Sequence, residues 1–163
     1  MKTVYLVRHS KAESDNPLMK DIKRVLTRVG IERAEKMALI LTGNYILPDL
    51  IFSSNAARAY QTAVIFARQF GIPVKKIEID HLLYGCHYHY YNELVSFLNN
   101  GISSVMIVGH NPAISHAVSD LIKKEIDYLP PCGIACIGYE TENWEKLSYP
   151  DTFEILDPRI LLK

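Results

Sequence analysis

Arginine, histidine and small hydroxyl residues gather at three points of this sequence: Arg8-His9-Ser10, Ser53-Ser54-Asn55 with Arg58 three residues on, and Gly109-His110-Asn111. Two guanidiniums can grip the non-bridging oxygens of a phosphate. A second imidazolium adds charge, and the remaining imidazole can attack phosphorus to give a phosphohistidine that water later hydrolyses. Taken singly, each group has a plainer reading: Arg8-His9 as a solvated strand-end pair, His110 as a structural turn residue, Arg58 as the exposed face of a helix. Three such groups at three corresponding places make the combined reading the one to carry forward.

Correspondence of place comes from the elements between them. Apolar runs at residues 3–7, 49–52 and 105–108 have the length and β-branched content of fully buried strands, and each ends directly before one of the three clusters. Between them lie stripes of period 3.6: Ile31, Ala34, Ala38 and Leu41; Ala56, Tyr60, Ala63, Val64 and Ala67; Ala113, Ile114, Ala117, Val118 and Leu121. Strand and helix alternation predicts an α/β fold with a largely parallel sheet, in which ligands bind beyond the carboxyl ends of the strands. Asn111-Pro112 reads as an N-cap and N1 pair, and Ser54 or Asn55 as the cap of the helix carrying Arg58, so that backbone N–H groups would also face the anion. After Pro130 and Pro131 the runs at 134–139 and 144–149 predict an antiparallel hairpin at a sheet edge.

Composition sets bounds on these readings. The 163 residues, 48% of them hydrophobic, suit a single domain over 1–163. Eighteen basic residues balance eighteen acidic ones, so no net field favours nucleic acid or an anionic membrane, and any anion site is local. The N-terminal apolar run is short and no stretch reaches a membrane span, which together predict a cytoplasmic protein. Cys86, Cys132 and Cys136 form neither an even set nor a C-x-x-C pair, as expected of packing residues in a reducing compartment.

Four segments in order carry a resemblance: Leu6-Val7-Arg8-His9-Ser10-Lys11-Ala12-Glu13, Arg24-x-Leu26-Thr27-x-x-Gly30, Ser53-Ser54-x-x-x-Arg58-Ala59-x-Gln61-Thr62-Ala63 and Val108-Gly109-His110-Asn111-Pro112. Over nearly its whole length the chain resembles the histidine phosphatase superfamily, of phosphoglycerate mutase-like fold, and within it the small SixA-type phosphohistidine phosphatases. The resemblance implies His9 as nucleophile, Arg8 and Arg58 binding the transferred phosphoryl group, His110 stabilising its charge, and Arg24 as a further phosphate-binding arginine. Ser10 and Asn111 are expected beside the substrate. No metal and no cofactor is implied. Pattern and resemblance together predict a three-layer α/β/α sandwich with a mostly parallel mixed central sheet and a C-terminal antiparallel hairpin.

Three departures from the superfamily pattern bear on substrate. Ser10 stands where the superfamily has glycine, and Asn55 where it usually has proline. Around Leu82-Leu83-Tyr84-Gly85, where phosphoester-cleaving members carry a glutamate, this sequence has no carboxylate. An alkoxide leaving group needs a proton, whereas protonated phosphohistidine releases a better leaving group, so the pattern favours phosphoramidate cleavage. Asp80, His81 or Glu93 could still supply a proton. The expected partner is a phosphorylated protein, such as a His-containing phosphotransfer domain, with a small phosphorylated molecule as the alternative; a phosphate-binding module without turnover is the non-enzymatic alternative. Cys86-His87-Tyr88-His89 matches no standard zinc spacing and reads as a polar, aromatic flap beside the site. P-loop, dinucleotide-binding and serine-hydrolase motifs are absent, and no cysteine is followed six residues later by arginine.

Overall fold

The computed structural model describes residues 1–163. Six strands form one sheet in the order β3-β2-β4-β1-β5-β6. They are β1 (Lys2–Arg8), β2 (Leu50–Ser54), β3 (Ile77–Asp80), β4 (Ser104–Gly109), β5 (Ile134–Tyr139) and β6 (Thr152–Leu156). The first four run parallel, and β5 and β6 are antiparallel to their neighbours. The central strands β1 and β4 are apolar at almost every position because both faces are covered. Alternate residues divide between two cores. Tyr5, Val7, Ile51, Met106 and Val108 pack on helices α1 (Arg28–Asn44) and α2 (Ala57–Gln69). Val4, Leu6, Val105, Ile107 and Ile137 pack on α3 (His89–Ser96) and α4 (Ala113–Ile122). A short α5 (Pro158–Leu161) closes the chain. The result is the expected α/β/α sandwich, and no helix in it is long and apolar enough to cross a membrane.

The hairpin forms at the expected edge, but its second strand is residues Thr152–Leu156 and not 144–149. Trp144 instead sits in a single 3₁₀ turn, where Asn143 caps the turn through Glu145 N at 2.9 Å and the buried indole donates to Ile102 O at 2.9 Å. A buried indole N–H needs such a partner, and a β6 register would not supply this one. The strand β3 and the helix α3 were not anticipated.

The parallel register places the carboxyl ends of β1, β4 and β2 side by side: Arg8 pairs with Gly109, and Ser53 with Val108. Two glycines let backbone and side chains crowd there. A Cβ on Gly30, in the first turn of α1, would collide with the Lys11 carbonyl, and one on Gly109 would collide with the Tyr91 hydroxyl. The spacing from Leu26 to Gly30 is thereby explained locally: Leu26 is buried, Thr27 caps α1 by accepting from Gly30 N at 3.1 Å, and Thr27 N donates to Lys11 O at 3.0 Å.

Candidate active site

His9 is fixed through its backbone before its side chain acts. Its N–H donates to Gly109 O at 3.0 Å, and its carbonyl accepts from Cys132 N at 3.2 Å, while Arg8 N donates to Gly133 O at 3.1 Å. The ring Nδ1 lies 2.7 Å from Ser10 O. A carbonyl only accepts, so Nδ1 carries the hydrogen and Nε2 presents its lone pair. Arg58 Nε donates to that Nε2 at 3.3 Å. Burial, then Arg58, Arg8 and Arg24, hold the His9 pKa down to about 4, against the Ser10 hydrogen bond. The ring is therefore neutral at neutral pH, as a nucleophile requires.

His110 lies beside it, with ring centroids 5.1 Å apart. Its Nε2 is 2.8 Å from Ser54 Oγ, a hydroxyl that already accepts from Ala56 N at 3.2 Å. The hydroxyl can donate to that nitrogen or accept from it, so either ring tautomer satisfies Ser54. In both, His110 Nδ1 is buried without a partner, as is Nε of Arg8. Two orphaned polar nitrogens flanking His9 are costly unless a ligand reaches them. Burial first, and then His9 and Arg58, push the His110 pKa down to about 3. His110 is thus neutral here, where sequence suggested an imidazolium; the low dielectric of the site outweighs the attraction of a distant carboxylate. Both rings are expected to show no titration in histidine ring NMR between about pH 5 and 8, the window in which an unperturbed imidazole changes charge. A ring titrating near 6.5 would contradict the buried, hydrogen-bonded geometry. The sign for stability follows: unfolded histidines take up protons that the folded ones refuse, so stability is full above about 6.5 and falls as pH drops toward the folded values.

The other expected residues gather here as well. Arg58 is 7% exposed, and its Nη1 and Nη2 donate to Asp21 O at 2.8 Å and Asp21 Oδ2 at 2.9 Å. Arg24 donates through Nη1 to Asp21 Oδ1 at 2.6 Å and through Nε to Glu13 O at 2.8 Å. Arg8 Nη1 donates to Leu129 O at 2.9 Å. Ser10 is fully buried, its hydroxyl donating to Gly30 O at 2.7 Å and its N–H to Thr62 Oγ1 at 3.0 Å, so its side chain faces α1 and α2 while its carbonyl orients His9. Asn111 does not cap α4, which begins after Pro112. Its side chain instead donates to Leu129 O at 3.0 Å and accepts from Ser115 Oγ at 2.6 Å, tying the strand end to the loop that also holds Arg8. Nor does Asn55 cap α2: its amide meets His81 Nδ1 at 2.9 Å, and Ser54 Oγ takes Ala56 N.

Asp21 was not singled out in the sequence. It sits in a 3₁₀ turn (Asp21–Lys23) between β1 and α1, and the Tyr84 hydroxyl, 63 residues on, donates to its Oδ2 at 2.7 Å. The place that sequence left without a carboxylate thus receives one from a distant loop. Tyr84, and then Arg24 and Arg58, hold the Asp21 carboxyl well below the usual carboxylate range despite some burial, and the same hydrogen bond raises the Tyr84 hydroxyl. The one signal that could have found it is the i,i+3 spacing to Arg24. Outside this core a cleft of about 430 Å³ opens past Tyr84, Cys86, His87, Tyr88 and His116 to His110. Beside it the ring of Tyr88 lies against those of His87 and His89, tilted by 38° and 40°, and no three His, Cys, Asp or Glu side chains of the chain converge as a metal-ligand group.

Residues 4–94, which carry His9, Arg24, Arg58 and Tyr84, match the sequence profile of the histidine phosphatase superfamily, branch 1. The chain belongs to that superfamily. This histidine phosphatase is 31% identical in sequence to a structure assigned as the phosphohistidine phosphatase SixA of Agrobacterium tumefaciens, a similarity covering 83% of this chain and 90% of that one with a TM-score of 0.75. It shares its fold with the protein histidine phosphatase SixA in complex with tungstate, at 24% identity, a TM-score of 0.77 and coverage of 98% and 99%. An uncharacterized chloroplastic protein of Arabidopsis thaliana is 28% identical over 153 residues, 89% of this chain and 70% of the plant protein. The histidine phosphatase reading drawn from the four segments is therefore shown, and with it that the chain is a phosphatase enzyme of SixA type.

Proposed function

We propose that this phosphatase takes the phosphoryl group of a phosphohistidine on a signalling or phosphotransfer protein onto Nε2 of His9 and passes it to water. The observation that carries the reading is the His9 ring itself: Nδ1 tied to Ser10 O at 2.7 Å, Nε2 facing Arg58 Nε, and unpartnered nitrogens of Arg8 and His110 at its sides. In the first step a bond forms between phosphorus and Nε2 of His9 while the phosphorus–nitrogen bond of the substrate breaks. The substrate ring keeps the electron pair and, protonated on its other nitrogen beforehand, leaves neutral. Water then attacks phosphorus, the bond to Nε2 breaks, and orthophosphate leaves with His9 restored. Arg8, Arg58 and Arg24 hold the oxygens and His110 donates to one of them, which stabilises charge where it builds. Ser10 and Asn111 serve by holding His9 and the Leu129 loop.

Leaving-group chemistry favours phosphohistidine over a phosphoester. The carboxylate that touches Tyr84 is ionised and held by two arginines, so it has no proton for a departing alkoxide. A relative assigned as a phosphohistidine phosphatase, 31% identical, supports the same substrate class. Phosphate release without added metal should be faster, in kcat/KM, from a phosphohistidine-bearing protein than from a panel of phosphomonoesters by about 10²- to 10⁴-fold, the usual worth of a general acid. Equal rates on esters would mean that Asp21, Asp80 or Glu93 delivers a proton, and the small-molecule reading would replace this one.

A further inference from the structure

Arg58 and Arg24 already hold an anion, and that anion belongs to the chain. The Asp21 carboxylate spans them with one oxygen each, Oδ1 on Arg24 Nη1 at 2.6 Å and Oδ2 on Arg58 Nη2 at 2.9 Å, much as two arginines share two oxygens of a phosphate. With Asp21 O on Nη1 and His9 Nε2 on Nε, every nitrogen of the Arg58 guanidinium is engaged. Nη1 and Nη2 each keep one further N–H, but a phosphoryl group within reach of His9 Nε2 meets a guanidinium whose charge the Asp21 carboxylate already balances.

The two partners differ in freedom. Arg58 is buried on α2, its side chain 9% exposed, whereas the Asp21 side chain is 40% exposed on a single 3₁₀ turn with no buried residue. The carboxylate is the less confined member of the pair. A dianionic phosphoryl group exchanges favourably for one carboxylate charge, while a weakly bound or singly charged anion gains little from the exchange.

We propose that Asp21 is a specificity-determining residue, a resident anion that occupies the arginine pair, yields to a phosphoryl dianion presented by a docked substrate, and returns to expel orthophosphate. This rests on the phosphate-pocket reading above, and it differs from a purely positioning role in the sign of one effect. If Asp21 only oriented Arg58, removing its charge would weaken phosphate binding; if it competes, removal strengthens it.

Orthophosphate itself is the probe, titrated calorimetrically into the purified full chain and used as a product inhibitor of phosphohistidine hydrolysis. Asp21→Asn keeps the shape and a hydrogen bond to Tyr84 while removing the charge, and Asp21→Ala is the second variant. Both should bind orthophosphate about 10-fold more tightly than the wild type, one charge-assisted contact's worth. Both should also lower KM and lower kcat as release slows. Unchanged or weaker orthophosphate binding in the variants, with normal binding in the wild type, overturns the exchange and leaves the phosphatase reading intact. Orthophosphate that binds neither form, together with no hydrolysis by the wild type, overturns both.

Discussion

His9→Ala is expected to reduce kcat for phosphohistidine hydrolysis by about 10⁴-fold or more, while leaving orthophosphate affinity within a few-fold of wild type. The split follows from where the ring sits. In the proposed reaction Nε2 is the atom that accepts the phosphoryl group, and alanine offers nothing in its place. The groups proposed to hold the oxygens stand on other elements: Arg58 on α2, Arg24 after the Asp21 turn, His110 at the end of β4. The backbone that carries residue 9 is pinned through Gly109 O and Cys132 N and needs no side chain for its conformation. Steady-state kinetics with a circular dichroism control checks this. A variant that kept a hundredth of the wild-type rate would show that phosphoryl transfer bypasses residue 9.

Arg58→Ala should cost about 10³-fold in kcat/KM, the upper end for losing one preorganised donor to a charged transition state. Two effects add here. The guanidinium that faces His9 Nε2 disappears, and the Asp21 carboxylate that it balanced is left to repel the phosphoryl group. Arg58→Lys should recover only about tenfold, because a point charge cannot address Nε2 of His9 and both Asp21 oxygens in one plane. Stability should change little, since Asp21 is partly exposed and finds water when its partner is gone. A loss below tenfold in the alanine variant would remove Arg58 from the phosphoryl site.

Much of this frame was legible in the sequence, for physical reasons that also mark the limits. The strands β1, β2 and β4 are buried on both sides and so read as continuous apolar runs, and α1, α2 and α4 each lay one stripe on the sheet. The edge strand β3 has four residues with only Ile77 buried, too short to show a period, and α3 has its buried pair Tyr91 and Val95 beside the half-buried Tyr88 and Tyr90, which blurs the stripe. Trp144 to Tyr149 imitated a strand because apolar residues alternate there, but the indole is claimed by Ile102 O. The meeting of His9, Arg58 and His110 was legible because each follows a strand that announces itself. Asp21 was missed because its partners come from Arg58 and Tyr84, 37 and 63 residues away, and no local pattern encodes such a meeting. The lowered pKa of His110 was missed for a related reason: it depends on burial beside His9, Arg58 and Tyr84, which a motif does not state.

The most direct test of the account is to mix the enzyme with a ³²P-phosphohistidine protein, quench in alkali within milliseconds, and locate the label by peptide mass spectrometry. The account predicts transient phosphate on His9, at nitrogen and labile to acid, absent from His9→Ala. Label that never appears on the enzyme while substrate is hydrolysed at full rate, or that appears on His110 instead, would contradict it.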